Sequence, residues 1–408
     1  MKIKKTLVWA ALAIMLLLVL SGCSPNQQEI FKAAMRLQSA NSLESQTTMT
    51  LQLKGSGFDP NTQQQIDKAA EFLNSAKLNL DEKVNSNPQK TAAKAQMDFN
   101  LAMPGMNIDL PIWVDSDLTG RTPKINEIFK LPQMASAFLP EQFAGKDYVV
   151  LNPADMDNSG LGNLDMSKLV NFSKDFQTAE LQFLNSYVQQ YNPPFNVIDN
   201  GIQYLQTSEG PIPARMYEIK LNDAQFKALI RYTVNNFVQD PEAINFVKTF
   251  MDSSLELSQV PDQAKTLSEF DQAFATFNNN KQLFLTEFNA IMDQLNNVTL
   301  LGDQGIDINY AVSEGYIVQE SGVIDVEIDA AQIAQLMNAF AGQQNAALEG
   351  AQGTLNVLLN FKTNISGINS QPDIQLPQVN ASNSFNYADL MDQLVKKSYK
   401  PASSLALK

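Results

Sequence analysis

In the stretch LESQTTMTLQLKGSG, Leu43, Thr47, Met49, Leu51 and Leu53 fall on one side of an extended chain, and Thr48, Thr50, Gln52 and Lys54 fall on the other. A period of two predicts a β-strand with one face turned inward. Ala93, Ala95, Met97, Phe99, Leu101 and Met103 repeat the pattern, Pro104-Gly105 makes a turn, and Met106, Ile108, Leu110, Ile112 and Val114 continue it. Two alternating runs joined by Pro-Gly predict a long β-hairpin. Shorter strands are predicted over Leu78 to Val84, Lys124 to Phe129 and Asp147 to Leu151, with a helix around Asn61 to Asn74 interrupting the series. An antiparallel sheet of this kind is apolar on one face, and something must cover that face.

Elsewhere the period changes. Ile30, Phe31, Ala34, Met35 and Leu37 recur at helical spacing and predict a short docking helix ahead of the first strand. Leu169, Phe172, Phe176, Phe183, Tyr187 and Tyr191 follow spacings near three and four up to Pro193-Pro194. Asp240-Pro241 reads as a cap with proline at the first helical position. After Pro261 comes a heptad-like row, Phe270, Phe274, Phe277, Phe284, Phe288, Ile291 and Leu295, broken by Lys281. Such a stripe packs on a neighbouring helix or on the sheet, or it lines a lipid pocket, and the first is the commoner use. Strands return at Ile306 to Val312 and Tyr316 to Ile328, around Ser313-Glu314-Gly315, and at Leu355 to Ile365. The segment from Ser370 to Asn383, rich in Pro, Asn and Gln, reads as coil, followed by a short helix near Tyr387 to Val395 and a basic end, Lys396 to Lys400.

One unit recurs in outline. YEIKLNDAQFKAL (217–229) and IDVEIDAAQIAQL (324–336) align without a gap, each as a strand, then Asn222 or Asp329 as a helix cap, then a helix. YVVLNPADM (148–156) is a looser third copy. Duplication explains the likeness, and so does a shared strand-to-helix grammar.

The N-terminus has three parts. Lys2, Lys4 and Lys5 form a positive region, Leu7 to Leu20 an apolar one too short to span a bilayer comfortably, and Leu20-Ser21-Gly22-Cys23 closes it with small residues. This is the layout of a secretory signal. Leu-Ser-Gly-Cys resembles the lipobox of bacterial lipoproteins. The resemblance implies cleavage between Gly22 and Cys23 and a diacylglyceryl group on Cys23, holding the mature protein on the extracytoplasmic face of a cell membrane. Two acyl chains anchor stably where one does not. Ser24 to Glu29 reads as a short polar tether.

Composition narrows the function. The net charge is −14, so neither an anionic membrane surface nor nucleic acid offers electrostatic attraction. Cys23 is the only cysteine and there is no histidine, which removes disulfides, histidine triads and the usual transition-metal sites. Asp115 and Asp117 flank Ser116 as a pair of carboxylates that reads as a solvated rim rather than an acid–base pair. In DMDNSGLGNLDM, Asp155, Asp157, Ser159 and Asn163 match calcium-loop positions one, three, five and nine, with Gly160 at the turn. Met166 stands where a bidentate Glu belongs, so the loop is expected to cap a helix and to bind calcium weakly if at all.

The docking helix, wide antiparallel sheet and covering helices resemble the LolA and LppX type of bacterial lipid-handling proteins. That resemblance implies a half-barrel-like sheet whose mouth is filled by helices around a cavity for acyl chains. The expected chain is α+β, with a long helical insertion. Its divisions are a signal peptide (1–22), the lipidated cysteine and tether (23–29), a sheet section (30–160), a mainly helical section (161–300), a second sheet section (301–369) and a tail with a short helix (370–408). No cofactor and no catalysis are expected. The candidate ligand-lining residues are Met97, Phe99, Met103, Met106 and Ile108, for an apolar, lipid-like ligand. The alternative is a surface interaction or structural lipoprotein with no small ligand.

Overall fold

Residues 24–119, 124–152, 190–207, 210–257, 262–341 and 350–398 are described by the computed structural model, with scattered positions between 168 and 187. They form an α+β fold around one wide sheet of 12 strands.

The chain enters through α1 (Pro25–Ser39). The tether expected over 24–29 is therefore the first turn and more of a helix. Ser24 and Gln27 make a reciprocal capping box and Pro25 sits at the first helical position, so the polar residues start the helix rather than delay it. A meander follows. β1 (Ser42–Ser56) leads through α2 (Pro60–Leu73) to β2 (Lys77–Ser86), β3 (Ala92–Met103), β4 (Met106–Asp117), β5 (Lys124–Lys130) and β6 (Tyr148–Leu151). The Pro104-Gly105 turn pairs Met103 with Met106, and Gly105 supplies the positive φ of 74°.

The section 161–300 is mainly helical, yet it also contributes two strands that alternation had not singled out, β7 (Val197–Thr207) and the start of β8 (Gly210–Leu221). Pro211 and Pro213 masked β8. Both pair with β7, but the ladder to β9 (Leu301–Ser313) begins only at Arg215, so neither proline stands inside a two-sided ladder. The helices are α3 (Asp223–Gln239), α4 (Pro241–Leu257), α5 (Gln263–Asn279) and α6 (Lys281–Leu295). The phenylalanine row breaks at Asn280 and passes ring to ring from Phe270 and Phe274 through Phe277 to Phe284 and Phe288. Phe277 and Phe288 pack on Val234 and Val238 of α3 and on Leu285, so this part of the stripe joins helices. A second aromatic cluster ties the described helical positions between 172 and 190 to α3 and α4: Phe183 stacks on Phe246, and Tyr187 stacks on Tyr191.

Beyond β9 come β10 (Tyr316–Asp329), α7 (Ala330–Ala341) and β11 (Thr354–Ser366), with β11 pairing β1 from Glu44↔Ser366 to Ser56↔Thr354. The two similar strand–helix units are β8–α3 and β10–α7, and both strands flank β9 in the same direction. Asn222 caps α3, and Asp329 accepts from the Gln332 N–H at the start of α7. The two helix starts also hold the entry to β9: Asp223 accepts from Leu300 and Leu301, and Gln332 accepts from Thr299.

The tail runs from β1 to β6. Asn41 and Ser42 hydrogen-bond to Asn369 and Ser370, and Asn383 accepts from Asp147 and Tyr148. That seats β12 (Ser384–Asn386) against β6, ahead of α8 (Tyr387–Ser398). The complete strand order is β12-β6-β5-β4-β3-β2-β1-β11-β10-β9-β8-β7. All neighbours are antiparallel except β12 and β6, which run parallel.

Candidate ligand-binding face

In an antiparallel ladder, directly paired residues point to the same face. The register therefore draws one face across the whole sheet. One row reads Ile219, Ile308, Gly322, Phe361, Met49, Leu78, Leu101 and Ile108. The next reads Leu221, Ile306, Ile324, Leu359 and Leu51. Toward β6 the same face continues through Met97, Ile112, Phe129 and Val149. Gly322 is glycine for a local reason: a Cβ there would lie 2.5 Å from the Asp307 carbonyl and 3.1 Å from the Phe361 ring.

Cover on this face is uneven. At the β7–β10 end, α1 lies on the sheet, and Ile30 and Ile219 are each 1% exposed within a cluster that includes Tyr217, Leu221, Leu229 and Tyr310. At the opposite edge Phe143 stacks on Phe385 over Val149, with Phe129, Leu139 and Leu390 around them. Between those ends, from β11 through β1, β2 and β3 to β4, every apolar residue of the face is only half-buried. Across that stretch α2 packs on β1, at its far end. Asn74 clips both backbone groups of Leu53, and a Cβ at Gly55 would lie 2.6 Å from Ile66.

The five residues proposed from sequence sit in this half-buried stretch and share its face. Met103 pairs with Met106, Leu101 with Ile108, Phe99 with Leu110 and Met97 with Ile112. Cys23, Gly22 and the calcium-loop residues Asp155, Asp157, Ser159 and Asn163 lie outside the described residues. Among the described residues no group of His, Cys, Asp and Glu is placed to hold a metal ion, and no helix is long and apolar enough to cross a membrane. Asp117 is a turn residue at the end of β4, where hydrogen bonds from Thr119 hold its carboxyl below its usual pKa.

Of the polar members of the face, sequence reasoning had named Thr47 alone. One row reads Asp199, Tyr217, Tyr310, Glu320, Thr363, Thr47, Leu80, Phe99 and Leu110. Its covered end is internally satisfied, because Arg215 forks onto Asp199 through Nε at 3.0 and 3.1 Å. Nearer the half-buried stretch, Tyr310 stands directly opposite Glu320 across β9 and β10, the Thr47 and Thr363 hydroxyls meet at 2.9 Å, and Ser45 reaches Glu82 at 3.3 Å. Burial pushes the Glu320 pKa up, and the neighbouring Tyr310 only partly opposes this. The signal was present in principle: Glu320 and Thr363 occupy positions in alternating strands that the pattern assigns to the apolar side.

The chain matches no protein-family model and no curated protein sequence.

Proposed function

We propose that the protein is a membrane-anchored extracytoplasmic lipoprotein, lipidated on Cys23, which binds or carries an apolar, lipid-like ligand and catalyses nothing. The half-buried apolar face from β11 to β4 carries this reading. So continuous an apolar surface, only partly buried in the folded protein, suits the binding of an apolar ligand. Met49, Met97, Met103 and Met106 on that face adapt to irregular apolar shapes, which suits acyl chains. The anchor supports the same reading. α1 begins at Pro25, and Asn26 and Gln27 donate to the Val197 and Phe195 carbonyls, so a lipid on Cys23 is held within a turn of the folded part.

Native mass spectrometry of the purified protein should show a co-purifying lipid, and a fluorescent fatty acid should bind. Metabolic labelling with a palmitate analogue should label the wild type and leave Cys23→Ser unlabelled. Equal labelling of both would remove the anchor. Calcium plays no necessary part, and calorimetric titration should find a Kd no tighter than about 10⁻⁴ M.

A surface-interaction lipoprotein without a small ligand is the second reading, favoured by β7, the last strand in the sheet order. Ile202 and Tyr204 there are 70% and 73% exposed beside a strand edge that no described strand covers. Absence of both the lipid and the probe would favour it.

A further inference from the structure

We infer that the ligand's polar end is a hydrogen-bond donor, an amine or a hydroxyl, received on the apolar face by Glu320 together with Thr363 and Thr47. The inference rests on the proposed binding of an apolar ligand and adds what its head group must be.

The polar groups stand beside the half-buried apolar stretch, so a chain lying along Leu80, Phe99 and Leu110 would bring its polar end to them. Glu320 is an acceptor whose paired neighbour on β9 is Tyr310, and among the described residues no salt bridge reaches it. A carboxyl in such surroundings has lone pairs to spare, and leaving them unmet is costly. The Thr47–Thr363 pair shares one hydrogen bond between two hydroxyls, so further acceptor capacity remains there too.

Sign matters as much as hydrogen bonding. Glu82 lies one row away, against Ser45, so two carboxyls face the same apolar surface. A fatty carboxylate or a phosphate monoester placed among them would meet like charge in a poorly solvated setting, whereas an ammonium or a hydroxyl would not. Selection of this kind comes from the repulsive element as much as the attractive one.

The experiment uses the purified protein loaded with Nile red, displaced in turn by hexadecylamine, hexadecanol and hexadecanoic acid at pH 7. The chain is constant, so differences report the head group. The amine and the alcohol should displace the probe at concentrations at least about tenfold below the acid. Glu320→Gln should shrink that gap to within about threefold, mainly by weakening the amine. Thr363→Val, which leaves both carboxyls in place, should weaken the alcohol and keep discrimination against the acid. Displacement by the acid as readily as by the amine, or a gap unchanged in both variants, overturns the head-group assignment while leaving apolar binding intact. Failure of Nile red and of all three chains to bind removes the apolar-ligand reading, and this inference with it.

Discussion

Two stretches of one face behave differently. From β7 to β10 part of the face lies under α1, where Ile219 and Tyr310 are almost fully buried, while Ile306, Ile308 and Ile324 on the same face stay half-buried. From β11 to β4 the same alternation, in the same continuous ladder, leaves Leu51, Leu80, Phe99 and Leu110 half-buried. Strand pattern alone is not the cause, since β9 and β10 alternate as β11, β1, β3 and β4 do. What differs is whether a helix is placed over the strands. α1 reaches β7, β9 and β10, while α2 packs on β1 near its far end. A period of two says that a face is apolar. Closing it is a separate event, and among the described residues it is complete only at the two ends of the sheet.

Truncation should separate the stretches most. Ile219→Ala, under α1, should cost about 2–5 kcal/mol in chemical denaturation. Phe99→Ala should cost less than the ~3–5 kcal/mol of a close-packed phenylalanine, because part of its surface is already in contact with water. Equal losses would mean that the two stretches are equally closed. Enlargement should give a smaller contrast. Ala33→Phe, in the α1 contact, should overpack and cost about 1–3 kcal/mol. Ala95→Phe, on the half-buried stretch, should stay within about 0.5 kcal/mol and compete with a bound fatty-acid probe. Loss of stability in Ala95→Phe, with no probe binding to the wild type, would argue for a filled core there.

The smallest effect concerns pH at the boundary between the stretches. Burial raises the Glu320 pKa, so the folded protein holds that proton where the unfolded chain has released it. Stability from this group is then greatest below the ordinary glutamate pKa and declines as pH rises toward the folded value. Comparing urea midpoints of wild type and Glu320→Gln from pH 4 upward should show the wild type losing ground to the variant with rising pH. A constant difference would mean that Glu320 ionises as it does in the unfolded chain.

Much of this was open to inspection in the residues alone. Alternation marked β1, β3, β4, β10 and β11, Pro104-Gly105 marked the hairpin, and the shared face of Met97, Phe99, Met103 and Ile108 followed from parity. These are local properties, set by the geometry of an extended chain and by turn chemistry. β7 and the start of β8 escaped because Asp199-Asn200-Gly201 and the two prolines read as loop, and only the edge position of these strands makes them acceptable. The row joining Tyr310, Glu320, Thr363 and Thr47 escaped for a different reason. Its members come from strands far apart in the chain, and β1 meets β11 only when the sheet is assembled. Sequence by itself determined which residues face the same way along each strand, because side-chain direction repeats every second residue. Only the tertiary structure decided which strands became neighbours and which part of their common face a helix would cover, because pairing order and helix placement are set by contacts between distant segments.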